Sequence, residues 1–165
     1  MKILLAIDPS EASRKAVEFA GKLLAPSAAK DVTVTLLHVV DSIPEFIVSG
    51  VNHPQSGAAY QQVAKDWTSA SRAEGDALLS RYRKQLESSG VPASAISLKL
   101  VTKEALPEAM KVVAALTIIE EMKAGGFDVV CLGRRGTSAA SGSFPGSVAE
   151  KVLREAHGLT VWVVD

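Results

Sequence analysis

The chain has 165 residues, 47% of them hydrophobic, with 18 lysines and arginines against 18 aspartates and glutamates. That length suits a single domain over residues 1–165 with a core able to bury most of its apolar surface, and the composition excludes a disordered chain. The balanced charge supplies no basic footprint, so neither nucleic acid nor an anionic membrane is an expected partner.

Residues 2–7, KILLAI, form an unbroken apolar run that stops at Asp8. Such a run suits a central strand buried on both faces. It is too short for a secretory segment or a bilayer span, so a cytoplasmic protein is expected. Ser10 can cap the next segment, where Val17, Ala20, Gly21 and Leu24 recur at helical spacing before Pro26 ends the helix. Residues 32–41, VTVTLLHVVD, are rich in β-branched side chains and read as a second strand that also ends in an acid.

Residues 42–62 read as irregular, with prolines at 44 and 54 and glycines at 50 and 57. A loop of that length is uncommon without a role, which leaves a lid, a partner-binding segment or a disordered one. Val63, Trp67, Ala70, Ala77, Leu78, Tyr82 and Leu86 then predict a helix with one apolar face, Trp67 and Tyr82 being core residues rather than stacking platforms. Gly90 and Pro92 close it. Ile96, Leu98 and Leu100 alternate with polar residues as in a strand with one wetter face. Residues 107–123 suit another helix, with proline in its first turn. FDVVCL, 127–132, is the fourth strand, and its lone Cys131 reads as a small buried hydrophobe. A last helix over 147–156 is closed by Gly158, and LTVWVV, 159–164, is the fifth strand. Strands alternating with helices predict an α/β fold: a single open, parallel five-stranded sheet with helices on both faces.

Between the fourth strand and the last helix stands LGRRGTSAASGSFPGSVAEKVL, 132–153. Gly133 and Gly136 let the backbone approach a ligand closely, and Gly146-Ser147 opens a helix whose free N–H groups favour an anion. The spacing fits a phosphate cradle, and it fits a plain long loop as well. It is neither the Walker loop nor the dinucleotide fingerprint. Arg134 and Arg135 can clamp phosphates or stand as solvated loop charges. His38 reads as structural, and Glu11, Asp41 and Glu45 are carboxylates near the carboxyl ends of the strands.

GRRG, nine residues, then GSVAEKVLREA and an apolar final strand resemble the nucleotide-binding signature of the universal stress protein family. KILLAIDPSEAS and LLHVVD are similar to that family's first strand and helix and its second strand. The resemblance covers nearly the whole chain. It implies a Rossmann-like sheet in the order 3-2-1-4-5 and, for members with G-x-x-G-x9-G-[ST], an ATP site, with AMP or ADP as alternatives and magnesium as the expected metal. Carried over by position, Asp8 lies at the nucleoside end, Val39 meets adenine through its backbone, and Leu132 and Gly133 line the ribose. Gly136, Gly146, Ser147 and Val148 hold the phosphates. Two arginines stand where the family often has small or polar residues or histidine, and TKEALPEAM lacks its usual glycine-aspartate-proline turn.

The function this implies is a nucleotide-dependent regulatory module of a stress response. An ATPase or nucleotidyl-transferring enzyme on the same sheet, and a nucleotide-free dimer that binds a protein partner, are the competing expectations. The apolar fifth strand, at a sheet edge in the implied order, predicts a homodimer through residues 159–164.

Overall fold

The computed structural model describes residues 1–24, 31–40, 43–53, 57–103, 110–137 and 145–165. Strand β1 (Lys2–Ala6) leads into helix α1 (Glu11–Leu23), and β2 (Thr33–Val40) is followed by α2 (Glu45–Val51) and the long α3 (Gly57–Ser88). A single 3-10 turn at Ala93–Ala95 introduces β3 (Ile96–Thr102). Then come α4 (Met110–Gly125), β4 (Val129–Gly133), α5 (Ser147–Glu155) and β5 (Thr160–Val164). The strands pair in parallel in one sheet of order β3-β2-β1-β4-β5, as the sequence pattern and its resemblance imply. Pro26, Asp41, Pro54, most of TKEALPEAM and residues 138–144 of the glycine-serine stretch lie outside the described residues.

The unbroken apolar runs are explained by two cores, one on each face of the sheet. Ile3, Leu5 and Ile7 of the first strand point with Leu36 and Cys131 toward α1 and α3, where Val17, Ala20, Leu79, Tyr82 and Leu86 meet them. Leu4, Ala6, Leu37, Val130 and Leu132 face the other way, toward Ala115, Ile118 and Met122 of α4 and Ala149 and Val152 of α5. Successive residues of a central strand therefore enter different cores, with exposure confined mainly to the strand starts at Lys2 and Thr33. Ser10 caps α1, its hydroxyl accepting from the Ser13 N–H at 3.1 Å. Gly90 and Gly158, at φ 96° and 74°, turn the chain out of α3 and α5.

The reading of residues 42–62 as irregular is corrected. Residues 45–51 form α2, with Ile47 buried, and residues 57–62 are the first turns of α3. Pro44 precedes the helix rather than breaking it. Gly50 lies within α2 and makes room for α3: a Cβ at Gly50 would stand 2.2 Å from the Tyr60 ring. The apolar face assigned to α3 is corrected as well. Its buried residues are Gly75, Leu78, Leu79, Tyr82 and Leu86, whereas Val63 and Trp67 are exposed, Trp67 by 39%.

The reason lies in the register of α3 on the sheet. Gly75 lies against Leu100 and His38, near the carboxyl ends of β3 and β2. The part before it, Gly57–Gly75, is about 27 Å long at about 1.5 Å per residue, and none of its residues before Gly75 is fully buried. Among the described residues, α2 packs on α3 there, with Tyr60 against Gly50. None of the described helices is long and apolar enough to cross a membrane.

Two measurements check this packing. Burial pushes the Cys131 thiol up to about 12 from its ordinary value, so it stays protonated at neutral pH. A thiol reagent at pH 8 should leave the native protein unmodified and label it stoichiometrically once denaturant is added; fast native labelling would contradict the buried placement. A Cβ at Gly133 would stand 2.7 Å from the Ala12 carbonyl carbon and 2.8 Å from the Ser13 nitrogen, backbone atoms that cannot rotate aside. Gly133→Ala should therefore lower unfolding stability by about 2–3 kcal/mol, read from denaturant midpoints at unchanged slope.

Candidate functional site

The chain leaves the sheet after Ile7, whose N–H still donates to the Leu37 carbonyl at 2.9 Å. Asp8 is the next residue, and its carboxylate is the centre of a closed network. Oδ1 accepts from the Ser10 N–H at 3.1 Å, from the Ser10 hydroxyl, and from the Ser13 hydroxyl at 2.6 Å. The Ser13 hydroxyl accepts in turn from the Asp8 N–H at 3.0 Å. Oδ2 faces the other way and accepts from the Thr137 N–H at 3.3 Å, immediately past GRRG. The carboxylate also meets the positive end of the α1 dipole. A Cβ at Gly136 would stand 2.7 Å from Asp8 Oδ2, so glycine is what lets the loop come this near.

The turn after β4 is fastened at both ends. The Arg134 N–H donates to the Val164 carbonyl at 2.7 Å, and the Arg134 carbonyl accepts from the Gly146 N–H at 2.8 Å. Gly146 is the N-cap of α5 and offers no side-chain cap. The first helical bond runs from the Glu150 N–H to the Gly146 carbonyl at 2.8 Å. The N–H groups of Ser147, Val148 and Ala149 are thus left as donors without an intrahelical acceptor. A Cβ on Gly146 would stand 3.3 Å from Arg135 Cα and 3.5 Å from the Gly136 nitrogen, which measures how closely the loop curls over the helix start.

The structure thus brings Asp8, Gly133, Arg134, Arg135, Gly136 and Gly146 together at the carboxyl edge of β1 and β4. Ser147 is exposed at the head of α5. Leu132 and Val148 turn their side chains toward the second core. Val39 is half-buried near the end of β2, two residues beyond the Ala6–Leu37 pair, and stands apart from the hydrogen bonds that join the others. His38 is structural: its Nδ1–H donates to the Ile7 carbonyl at 2.9 Å, and its ring packs against Gly75. Burial raises the Tyr82 hydroxyl, and the charges of Asp8 and Glu11 add to the rise against the pull of Arg81.

The arginines meet a carboxylate. Arg134 Nη1 donates to Asp165 Oδ2 at 2.6 Å and Arg135 Nη2 to Asp165 Oδ1 at 3.2 Å. These two hydrogen bonds, Arg134 first, hold the Asp165 carboxyl below the usual aspartate range. Ser13, Thr137 and Asp165 are the site residues that sequence reasoning missed. Ser13 had a signal, since it follows the capping serine by three residues, where a capping-box partner stands. Asp165 had none until the strand order was known. Gly133 and Val164 are paired neighbours, so Arg134 and Asp165 are the next residues along adjacent strands.

The sequence matches no curated protein. Several solved structures share the fold, among them the following three. Universal stress protein UspA from Lactobacillus plantarum is 20% identical at a TM-score of 0.73, with 100% of this chain and 97% of that one covered. A universal stress protein in complex with cAMP is 18% identical at 0.61, covering 99% and 95%. A universal stress protein family protein from Arabidopsis thaliana with AMP bound is 18% identical at 0.58, covering 99% and 90%. At these identities the likeness concerns the fold. Sequence evidence runs the full length: the model of the universal stress protein family matches residues 1–165, and the chain belongs to that family.

Proposed function

We propose that the crevice at the carboxyl ends of β1 and β4 binds an adenine nucleotide, ATP in the first place and AMP or ADP as alternatives. In this reading binding rather than turnover is the protein's contribution to a stress response. The observation that carries it is the convergence of three anion- and nucleoside-directed features on one turn: the Asp8 carboxylate held against Thr137, the glycines that admit a ligand, and the uncapped start of α5. Two proteins of the same fold, one with AMP bound and one in complex with cAMP, support the class of ligand.

In this reading Asp8 keeps acceptor capacity on Oδ2 for the nucleoside end, since a carboxylate oxygen accepts more than one hydrogen bond. Val39 offers backbone groups to the base, and Leu132 and Gly133 offer theirs along the ribose. The N–H groups at Gly136, Ser147 and Val148 face the phosphates, with Gly146 leaving the space and Arg134 and Arg135 adding charge. Among the described residues no group of three His, Cys, Asp or Glu could hold a metal ion. Mg²⁺ would therefore travel with the triphosphate and meet Asp8 as a carboxylate neighbour, as this ion commonly does. The same carboxylate is surrounded by Ser10, Ser13 and Thr137 donors, which suits holding a ligand better than drawing a proton from one.

The assignment is tested at Gly146. A β-branched side chain there would fill the gap between the start of α5 and the Arg135–Gly136 backbone. Gly146→Val should abolish ATP binding in calorimetry while circular dichroism still reports a folded α/β protein. An unchanged affinity in the folded variant would falsify the site.

We also propose a homodimer through residues 159–164. Strand β5 pairs with β4 along one edge. Trp162 and Val164 pack on the first core, and Val161 and Val163 on the second. Its outer edge carries backbone donors and acceptors that an antiparallel copy would satisfy about a two-fold axis. Light scattering at micromolar concentration should give twice the chain mass. Val161→Lys with Val163→Lys should give monomer or misfolded protein, and a monomeric wild type would end the proposal.

A further inference from the structure

Two consecutive arginines converge on one carboxylate at the rim of the crevice. Asp165 Oδ2 takes Arg134 and Oδ1 takes Arg135. A phosphate presents the same kind of paired oxygens to guanidinium groups. The Arg134 backbone is fixed by its bonds to Val164 and Gly146, so its side chain can change partner without moving the turn. Asp165 directly follows Val164 on the edge strand, and its side chain is 54% exposed. The Asp165 carboxylate sets a negative charge against both guanidinium groups.

We propose that Asp165 is a specificity-determining residue of the crevice. It occupies the Arg134–Arg135 pair, and a ligand's outer phosphates must displace it. The inference rests on the reading of the β4–α5 turn as a phosphate cradle. Asp165 thereby lowers the affinity for chains of phosphates relative to a single phosphate held at the start of α5. AMP does not contest the arginines in this arrangement, whereas ATP does. The effect is electrostatic at a part-exposed site, so it weakens as salt rises.

The test compares the wild type with Asp165→Asn, Asp165→Glu and the double variant Arg134→Ala with Arg135→Ala, using inorganic tripolyphosphate, ATP and AMP as ligands. Asp165→Asn keeps the shape and removes the charge. It should bind tripolyphosphate and ATP about five- to tenfold tighter and AMP within about twofold, with the gain shrinking near 0.5 M salt. Asp165→Glu should bind as wild type, and the double arginine variant should lose tripolyphosphate. Unchanged tripolyphosphate affinity in Asp165→Asn overturns the proposal, and so does an equal gain for AMP. Equal tightening by Asn and Glu would also overturn it, since that marks a tie between strand ends rather than a competing charge. A wild type that binds neither AMP nor ATP defeats the nucleotide reading instead, and the tripolyphosphate comparison still decides the role of Asp165.

Discussion

The Asp8 carboxylate holds three segments of chain at one point: the end of β1, the first turn of α1 and the turn after β4. Oδ1 draws in Ser10 and Ser13, which belong to the start of α1, and Oδ2 draws in Thr137. One side chain thereby ties the start of α1 to the glycine turn. The glycines follow from that closeness. Gly136 stands where a Cβ would strike the carboxylate, and Gly133 where a Cβ would strike the backbone of Ala12 and Ser13. The glycine content of this stretch reflects tight approach, which is a different matter from looseness.

Behind the crevice, the double core supplies the rigidity such approaches need. β1 and β4 are sandwiched between α1 and α3 on one face and α4 and α5 on the other, and their residues alternate between the two. Well-packed interiors of this kind transmit displacement rather than absorb it. The edge strands differ. β3 carries Leu98 half out in solvent, while β5 keeps both rows of side chains engaged with helices.

Periodicity in the sequence was sufficient for the strands and for most of the helices, because β1, β2 and β4 are buried on both faces and their runs are unmistakable. The strand order came from family resemblance instead, since no local pattern states which strands are neighbours. Pro44 and Gly50 misled because each is a breaker only when nothing compensates. Here the proline sits just ahead of the helix, and the glycine is required by the Tyr60 ring. Trp67 misled because helical spacing reveals a face without revealing how far the sheet beneath it extends. At the site, Asp8 and the glycine spacing were legible. Thr137 and Asp165 were not, because each meets its partner only in space, far apart in sequence, and Ser13 was missed although it stands three residues after the capping serine.

The register of α3 has a mechanical consequence. Its second half is clamped in the first core by Leu78, Leu79, Tyr82 and Leu86, while its first half overhangs the carboxyl edge with α2 alongside. The two halves meet near Gly75, where the absence of a side chain brings the helix against His38 and Leu100. His38 is itself bonded to Ile7, one residue before Asp8. A tilt of about 5° near Gly75 would move the far tip by roughly 2 Å over an arm of about 27 Å. The exposed Trp67 and Val63 surface thus lies far out on the same helix that packs, at Gly75, against the ring bonded to the residue before Asp8.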